Sequence, residues 1–264
     1  MTSGSEGTYT PGELQDSGDY GKQFSDIYDS VFPQLEPAEI EWLALQVGGR
    51  TSPSVLEFGV GTGRVLVPLA ERLREEGADA SLVGVDASQE MLSILAEREV
   101  PTIVPRLGNM RHYRDGRQYD LVLCVCGSLA LLREPAAQLD AMRTFSEHLA
   151  PGGLLITETH NMPWVKKLEE NGGSMFMPYP GVRRGMVIFS ELEGEYWDCK
   201  QIWIDDEDIR VLPERALLIG EERLLEMAEA SGLRRVASLS ALNGAPYGED
   251  STTVVSVFEK AASS

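Results

Sequence analysis

Short apolar runs alternate with amphipathic segments from Ser54 to about residue 160. The runs "SVLEFG", "SLVGVDAS", "TIVPRLGN", "YDLVLCVC" and "GLLITETH" are typical of buried strands, although Pro105 interrupts the third. Between them, apolar residues recur at helical spacing, and Ser88 is a suitable N-cap for the second of these helices. Because strand–helix alternation joins parallel strands, the pattern predicts an α/β fold with a doubly wound, mostly parallel sheet.

The pattern changes over residues 161–216, where an irregular segment is followed by strand-like runs without helices between them. Consecutive strands of this kind favour antiparallel pairing, so we expect a small β-rich insertion that serves as a substrate or lid region. The parent pattern returns over 217–264, with a helix and two strands, "RRVASLSAL" and "TTVVSVFEK". A loop of about nine residues is too short for a crossover helix, so these two strands should be antiparallel neighbours.

The residues before Ser54 divide into two parts. Residues 1–19 are rich in Gly, Ser, Thr and acidic side chains, and their composition predicts a flexible N-terminus. Residues 20–53 contain two amphipathic helical patterns, which we interpret as a helical lid. The boundaries leave 54–160 and 217–264 for the sheet domain itself.

Acidic residues outnumber basic ones by 42 to 23, which gives a net charge of −19. Such a surface repels phosphate backbones and anionic lipid, so neither nucleic acid nor membrane is an expected partner. The chain has no apolar run of about 18 residues and no secretion-signal profile, and it is predicted to be cytoplasmic. Cys124 and Cys126 should share one face of a strand as buried thiols, and no metal site is expected.

A glycine-rich turn follows the first predicted strand, where a bare backbone can approach a ligand. Its pattern is E-x-G-x-G-x-G, and Arg64 stands where a dinucleotide fingerprint has its third glycine. The carboxylate of Glu57 would repel a pyrophosphate and suits a cation, unless it only braces the loop. Asp86 ends the second strand, where it can accept both hydroxyls of a ribose, or act as a turn acid.

The segments "LEFGVGTGR" and "VGVDASQEML" resemble the class I S-adenosylmethionine-dependent methyltransferases. The resemblance implies a seven-stranded sheet whose last strand is antiparallel, and S-adenosylmethionine as cofactor. It also implies that the adenine amino group is read by Asn109, where the family usually has Asp. The residues that the resemblance assigns to the cofactor are Tyr20, Tyr28, Glu57, Gly59, Gly61, Gly63, Asp86, Ala87, Met91, Asn109, Met110 and Cys126.

The segment "DYGKQFSDIYDSVF" is similar to the N-terminal segment of methyltransferases that act on small metabolites, and the layout with a β-rich insertion is similar to the sugar N-methyltransferases of antibiotic pathways. His160 ends the fifth strand and is the candidate base, while Tyr28 could cover the sulfonium or belong to the helix core. Substrate contacts are expected from His160, Trp164, Tyr179 and Arg183. The aromatic and methionine side chains of the insertion would form a cleft wall, the insertion's own core or a homodimer surface.

These patterns predict an enzyme that methylates a small-molecule metabolite in natural-product (antibiotic) biosynthesis, with nitrogen as the favoured acceptor. The alternatives within the class are carbon or oxygen of a keto acid, enol or phenol. Two other classes stay open: an NAD-dependent oxidoreductase, against which Arg64 argues, and a catalytically silent nucleoside-binding protein.

Overall fold

The computed structural model describes residues 21–179, 184–205 and 208–261. The strands in chain order are β1 (Ser54–Phe58), β2 (Ser81–Asp86), β3 (Ile103–Leu107), β4 (Tyr119–Cys124), β5 (Leu149–His160), β6 (Ser174–Pro178), β7 (Arg184–Glu193), β8 (Tyr196–Asp205), β9 (Asp208–Leu217), β10 (Leu233–Leu239) and β11 (Thr253–Lys260). The helices are α1 (Tyr28–Val31), α2 (Pro37–Leu45), α3 (Leu66–Glu75), α4 (Gln89–Glu97), α5 (Pro135–Glu147), α6 (Met162–Glu170) and α7 (Glu221–Ala230), with a 3₁₀ turn at Ser128–Leu131.

Seven strands form one sheet in the order β10-β11-β5-β4-β1-β2-β3. β1 pairs in parallel with both β2 and β4, and only β11 runs against its neighbours β5 and β10. The predicted doubly wound sheet with an antiparallel last strand is therefore confirmed. The short β10–β11 connection leaves no room for a crossover helix, which is the physical reason for that direction.

Helices cover both faces of this sheet, and each face has its own apolar core. Val55 packs on one side with side chains of α2 and α3, whereas Leu56 and Phe58 pack on the other with side chains of α5 and α7. Burial on both faces explains why these strands are nearly continuous apolar runs. It also leaves the carboxyl ends of the parallel strands as the edge at which polar chemistry can gather.

The insertion forms a second sheet in the order β6-β7-β8-β9, in which all neighbours are antiparallel. The expectation of an irregular segment after residue 161 is wrong, because α6 begins there with Pro163 in its first turn. Proline at this position fixes a helical φ and loses no intrahelical hydrogen bond. The helix packs beside β6 and β7 and buries Val165.

Three further local expectations can be compared with the structure. Ser88 caps α4, since its side chain accepts a hydrogen bond from the Met91 amide. β3 runs through Pro105 without a break, because it is the edge strand and one side needs no donor. The expected shared face of Cys124 and Cys126 is wrong: β4 ends at Cys124, and Cys126 has left-handed backbone with φ 57°.

Within the described ranges, no helix is both long and apolar enough to cross a membrane.

Candidate active site

The glycine turn after β1 opens onto a narrow cleft at the carboxyl edge of the sheet. Gly61 has φ 55°, and a Cβ placed there would meet nothing within 4 Å, so this backbone faces open space. At Gly59, with φ 71°, a Cβ would lie 2.6 Å from Ser128 Oγ, so only glycine allows the 3₁₀ turn to approach. The cleft is lined by Gly21, Tyr28, Gly59, Gly61, Val85, Asp86, Ala87, Met91, Gly108, Met110, Cys126, Gly127, Ser128, Leu131 and Glu214.

Asp86 both braces the glycine turn and lines the cleft. Its Oδ2 accepts a hydrogen bond of 2.8 Å from the Gly61 amide, and its Oδ1 accepts one of 2.8 Å from the Ser88 amide. Burial raises the pKa of Asp86, while the backbone amides that donate to it act in the opposite direction. The two readings of this carboxylate, turn acid and ligand acceptor, are thus compatible in geometry.

Three residues assigned to the cofactor lie behind the cleft wall, outside its lining. Glu57 is buried beneath the turn, where the Leu66 amide donates to it, and its Oε2 has no hydrogen-bond partner among the described residues. Gly63 lies where a Cβ would come within 2.5–2.7 Å of the side chains of α3 and α4. Asn109 is buried, and its Oδ1 accepts from the Arg111 amide. Their predicted ligand contacts stay predictions.

Burial raises the pKa of Glu57 to about 8, and the positive charge of Arg64 acts against that shift. A carboxyl group with this pKa is largely protonated at neutral pH. A cationic ligand group nearby would favour its ionised form.

A polar cluster stands where the cleft meets the N-terminal segment. Arg64 donates to Pro33 O at 3.0 Å and to Cys126 Sγ at 2.6 Å, and it also hydrogen-bonds the Tyr28 side chain. The Cys126 amide donates to Glu158 Oε2 at 2.9 Å. The residue Cys126 is exposed to the cleft, but its sulfur is desolvated by the surrounding protein atoms, which raises the pKa of its thiol to about 12. Burial also raises the pKa of Tyr28. Both groups are therefore neutral hydrogen-bonding groups at physiological pH.

Beyond this cluster lies a second cavity of about 410 Å³, between the insertion and the edge of the main sheet. We call it the chamber. Its wall is largely aromatic and sulfur-bearing, with Trp197 against His160 at 4.8 Å and Tyr179 against Trp203 at 4.7 Å between ring centroids. The chamber is lined by Tyr28, Phe32, Pro33, Cys126, His160, Trp164, Met175, Met177, Tyr179, Met186, Ile188, Trp197, Cys199, Gln201, Glu214, Thr252 and Thr253.

Three of the predicted substrate residues, His160, Trp164 and Tyr179, line the chamber together. Burial lowers the pKa of His160 to about 4, so its imidazole is neutral at physiological pH. Two predicted residues, Tyr20 and Arg183, lie outside the described residues.

The cleft and the chamber share three lining residues: Tyr28, Cys126 and Glu214. Glu214 was missed by the sequence analysis. It lies on β9 opposite Cys199, and Gln201 Nε2 donates to its Oε2 at 3.4 Å. Burial raises the pKa of Glu214 to about 7. No local signal in "RVLPERALL" distinguishes it from the other acidic residues of the insertion, since its position depends on how the second sheet packs.

The chain is similar in sequence and in fold to known methyltransferases. Residues 55–153 match the family model of a methyltransferase domain. The CcbJ methyltransferase from Streptomyces caelestis superposes with a TM-score of 0.78 at 27% sequence identity, over 94% of this chain and 99% of that one. Over residues 55–153 the chain is therefore similar to methyltransferase domains. The matched range covers β1 to β4 and the start of β5, and so includes the glycine turn and Asp86.

Two curated relatives of this chain are named as dimethyltransferases of nucleotide-linked amino sugars. The dTDP-4-amino-2,3,4,6-tetradeoxy-D-glucose N,N-dimethyltransferase of Saccharopolyspora spinosa is 30% identical over 151 residues, which are 55% of this chain and 56% of that protein. The dTDP-3-amino-3,4,6-trideoxy-alpha-D-glucopyranose N,N-dimethyltransferase of Streptomyces venezuelae is 30% identical over 150 residues, 55% and 59% of the two chains. The chain thus spans a little over half the length of these relatives.

Proposed function

We propose that the protein is an S-adenosylmethionine-dependent methyltransferase that methylates the nitrogen of a small-molecule amine in natural-product (antibiotic) biosynthesis, in the cytoplasm. The observation that supports this best is the shared wall between the cleft and the chamber. A cofactor in one and an acceptor in the other would meet at Tyr28, Cys126 and Glu214. Methyl transfer needs this in-line arrangement of two ligands in a space that excludes water.

The residues of the cleft fit S-adenosylmethionine. Asp86 offers a carboxylate to ribose hydroxyls, and Gly61 leaves open space beside the turn. Met91 and Met110 offer apolar contacts to the flat ring of an adenine. Oε2 of Glu57 is buried without a hydrogen-bond partner among the described residues, and in its ionised form this carboxyl group would favour a cationic ligand electrostatically. When bound, the cofactor supplies an electrophilic methyl group on a positively charged sulfur.

The chamber would hold the acceptor. Its aromatic and methionine side chains offer apolar contacts and exclude water, and the hydroxyl of Tyr28 and the thiol of Cys126 remain protonated at the shared wall. We assign the insertion 161–216 to acceptor binding and residues 20–53 to the cover of the cleft. Nitrogen is favoured because both curated relatives are amine dimethyltransferases.

A second candidate is O-methylation of a phenol or enol. It is favoured by one observation: His160 lines the chamber and is neutral, so it can accept a proton from a hydroxyl group.

Calorimetry followed by mass spectrometry tests the proposed function. We expect the purified protein to bind S-adenosylhomocysteine and not NAD. With S-adenosylmethionine present, a panel of apolar amines and phenols should yield products heavier by one or two methyl groups. Gain of mass on a phenol alone would select the second candidate. Binding of NAD, or no binding of S-adenosylhomocysteine, would contradict both.

A further inference from the structure

The wall shared by the cleft and the chamber carries one acidic side chain that the cofactor does not require. Glu214 lies on β9 and lines both spaces, and on the chamber side it is the one acidic side chain in the described lining, among mostly aromatic, thioether and thiol groups. The register places it opposite Cys199, and the only hydrogen bond to its carboxyl group among the described residues is the long one from Gln201 Nε2. A carboxylate so weakly satisfied at an apolar wall favours a cationic hydrogen-bond donor as its partner.

Among the residues that the structure describes, the chamber wall offers no cationic side chain to a phosphate. Of its described lining residues none is Lys or Arg, and the neutral His160 adds no positive charge. Arg64 lies close by, but its guanidinium is engaged by Cys126, Pro33 and Tyr28. A diphosphate in this space would meet the charge of Glu214 and no cation among the described lining residues, which is unfavourable in a partly desolvated site.

We propose that the acceptor is an amine carried on an apolar body without phosphate, and that Glu214 pairs with its ammonium group and removes one proton from it. The inference rests on the proposed function and narrows it. It separates this protein from relatives whose acceptors are joined to dTDP.

The proton transfer is balanced within the site. An N–H bond of the ammonium breaks and its electron pair stays on nitrogen, while an O–H bond forms on a carboxylate oxygen of Glu214. Burial lowers the pKa of an amine in the chamber, and the pKa of Glu214 is already raised to about 7, so the two groups approach each other in proton affinity. The neutral amine then presents its lone pair at the wall shared with the cleft.

The other titratable groups that face Glu214 do not change charge in the same range. Burial raises the pKa of Tyr28, and it raises those of Cys126 and Cys199 to about 12, so all three stay protonated near neutral pH. His160 is already neutral there. Two buried carboxyl groups interact electrostatically with Cys126: Glu57, whose pKa of about 8 lies near the same range, and Glu158, whose pKa is also raised by burial. Both are kept in Glu214→Gln, so the part of the pH dependence between pH 6 and 8 that this variant loses reports on Glu214.

Tryptophan fluorescence measures acceptor binding without turnover, because Trp164 and Trp197 line the chamber. With saturating S-adenosylhomocysteine, the protein is titrated at pH 8 with 2-phenylethylamine and with 2-phenylethanol, and likewise with the pairs benzylamine and benzyl alcohol, and cyclohexylamine and cyclohexanol. We expect at least one amine to bind about tenfold or more tightly than its alcohol. For that amine, affinity should rise between pH 6 and 8 as Glu214 ionises.

In Glu214→Gln this preference should fall to about onefold, with alcohol binding unchanged and the pH dependence lost. Glu214→Asp should keep part of the preference, which a purely structural role would not predict. Glu191→Gln, at an exposed position of β7 outside the chamber lining, is the matched control and should behave as the parent.

Three results would overturn the inference: no amine preferred over its alcohol, a preference that survives in Glu214→Gln, or thymidine diphosphate that quenches the fluorescence by entering the chamber. Each is distinct from failure of the proposed function, which would appear first as loss of S-adenosylhomocysteine binding. If S-adenosylhomocysteine binds and the amine preference is absent, only the inference about Glu214 fails.

Discussion

The cleft and the chamber are built in different ways. The cleft is formed by the ends of parallel strands, where the main chain of the glycine turn, the Asp86 carboxylate and backbone amides make the surface. The chamber is formed by side chains of β6–β9 that meet α6, β5 and the N-terminal segment. One region is a backbone site on a rigid scaffold, and the other is a side-chain site on a separate antiparallel sheet.

This difference in construction separates a site suited to a ligand shared by many relatives from a site suited to a ligand that differs between them. A backbone cradle depends on a few glycines and one acid, so it suits a ligand common to a whole family. A side-chain wall can change one residue at a time, so it suits a ligand that differs between relatives. Mutations in the two regions should therefore have separable effects on the two ligands.

Trp197→Ala is expected to have the largest effect on stability, and of the two ligands only the acceptor should lose its binding. The side chain is 5% exposed and donates to Ser190 Oγ at 2.6 Å, so its removal leaves a large cavity. We expect the free energy of unfolding to fall by about 3–5 kcal/mol and acceptor binding to be lost, with S-adenosylhomocysteine still bound. Denaturant titration measures the free energy of unfolding, and calorimetry measures the binding of each ligand. Phe176→Ala, which removes a side chain 61% exposed on β6, should cost much less.

Glu57→Gln tests the buried carboxyl group beneath the cleft. The folded-state pKa of about 8 lies above the ordinary value of 4.5 because of burial, so the folded state holds the proton more tightly than the unfolded one. The stability this contributes is fully present below pH 4.5 and is lost as pH rises through 8. We expect the variant to lose this pH dependence and to be more stable than the parent above pH 8, on the order of 3 kcal/mol.

Urea unfolding at pH 6 and pH 9 measures the change. An equal effect of Glu57→Gln at both pH values would show that the carboxyl group is not protonated in the folded protein.

Asp86→Ala should weaken binding of S-adenosylhomocysteine in the cleft and leave acceptor binding in the chamber unchanged. The change removes the acceptor for the Gly61 and Ser88 amides and the proposed partner of the ribose. Affinity for S-adenosylhomocysteine should fall by about 1–3 kcal/mol, measured by calorimetry. Asp79→Ala, at an exposed position ahead of β2, is the control. Unchanged affinity in Asp86→Ala would remove the ribose assignment.

His160→Asn should have the smallest effect on nitrogen methylation. The pKa of about 4 already leaves the imidazole neutral, and Glu214 is the proposed proton acceptor. We expect the rate on the best amine of the panel to fall by less than about tenfold, with the same pH profile above pH 5. A loss of about 100-fold or more would make His160 the general base instead.

The same contrast explains how much could be predicted from sequence. The cleft depends on neighbours along the chain: Gly59 and Gly61 follow β1 directly, and Asp86 ends β2 beside it. The antiparallel β11 could also be predicted, because a loop length decides it. Local spacing was enough for these elements, and the structure agrees with them in position.

The chamber depends on packing that local patterns do not record. Glu214 reaches the shared wall only because β9 pairs with β8 and the second sheet lies against the 3₁₀ turn of the main domain. For Glu57 and Asn109, local patterns predicted ligand contacts without recording how the side chains pack. Their sequence positions match family ligands, yet their side chains are buried behind the cleft wall.

A crystal structure with S-adenosylhomocysteine and a bound amine tests the central claim most directly. The account predicts the ribose beside Asp86, the amine in the chamber, and the sulfur and nitrogen facing each other at the wall formed by Tyr28, Cys126 and Glu214. A nucleoside bound away from the glycine turn, or an acceptor seated outside the chamber, would contradict it.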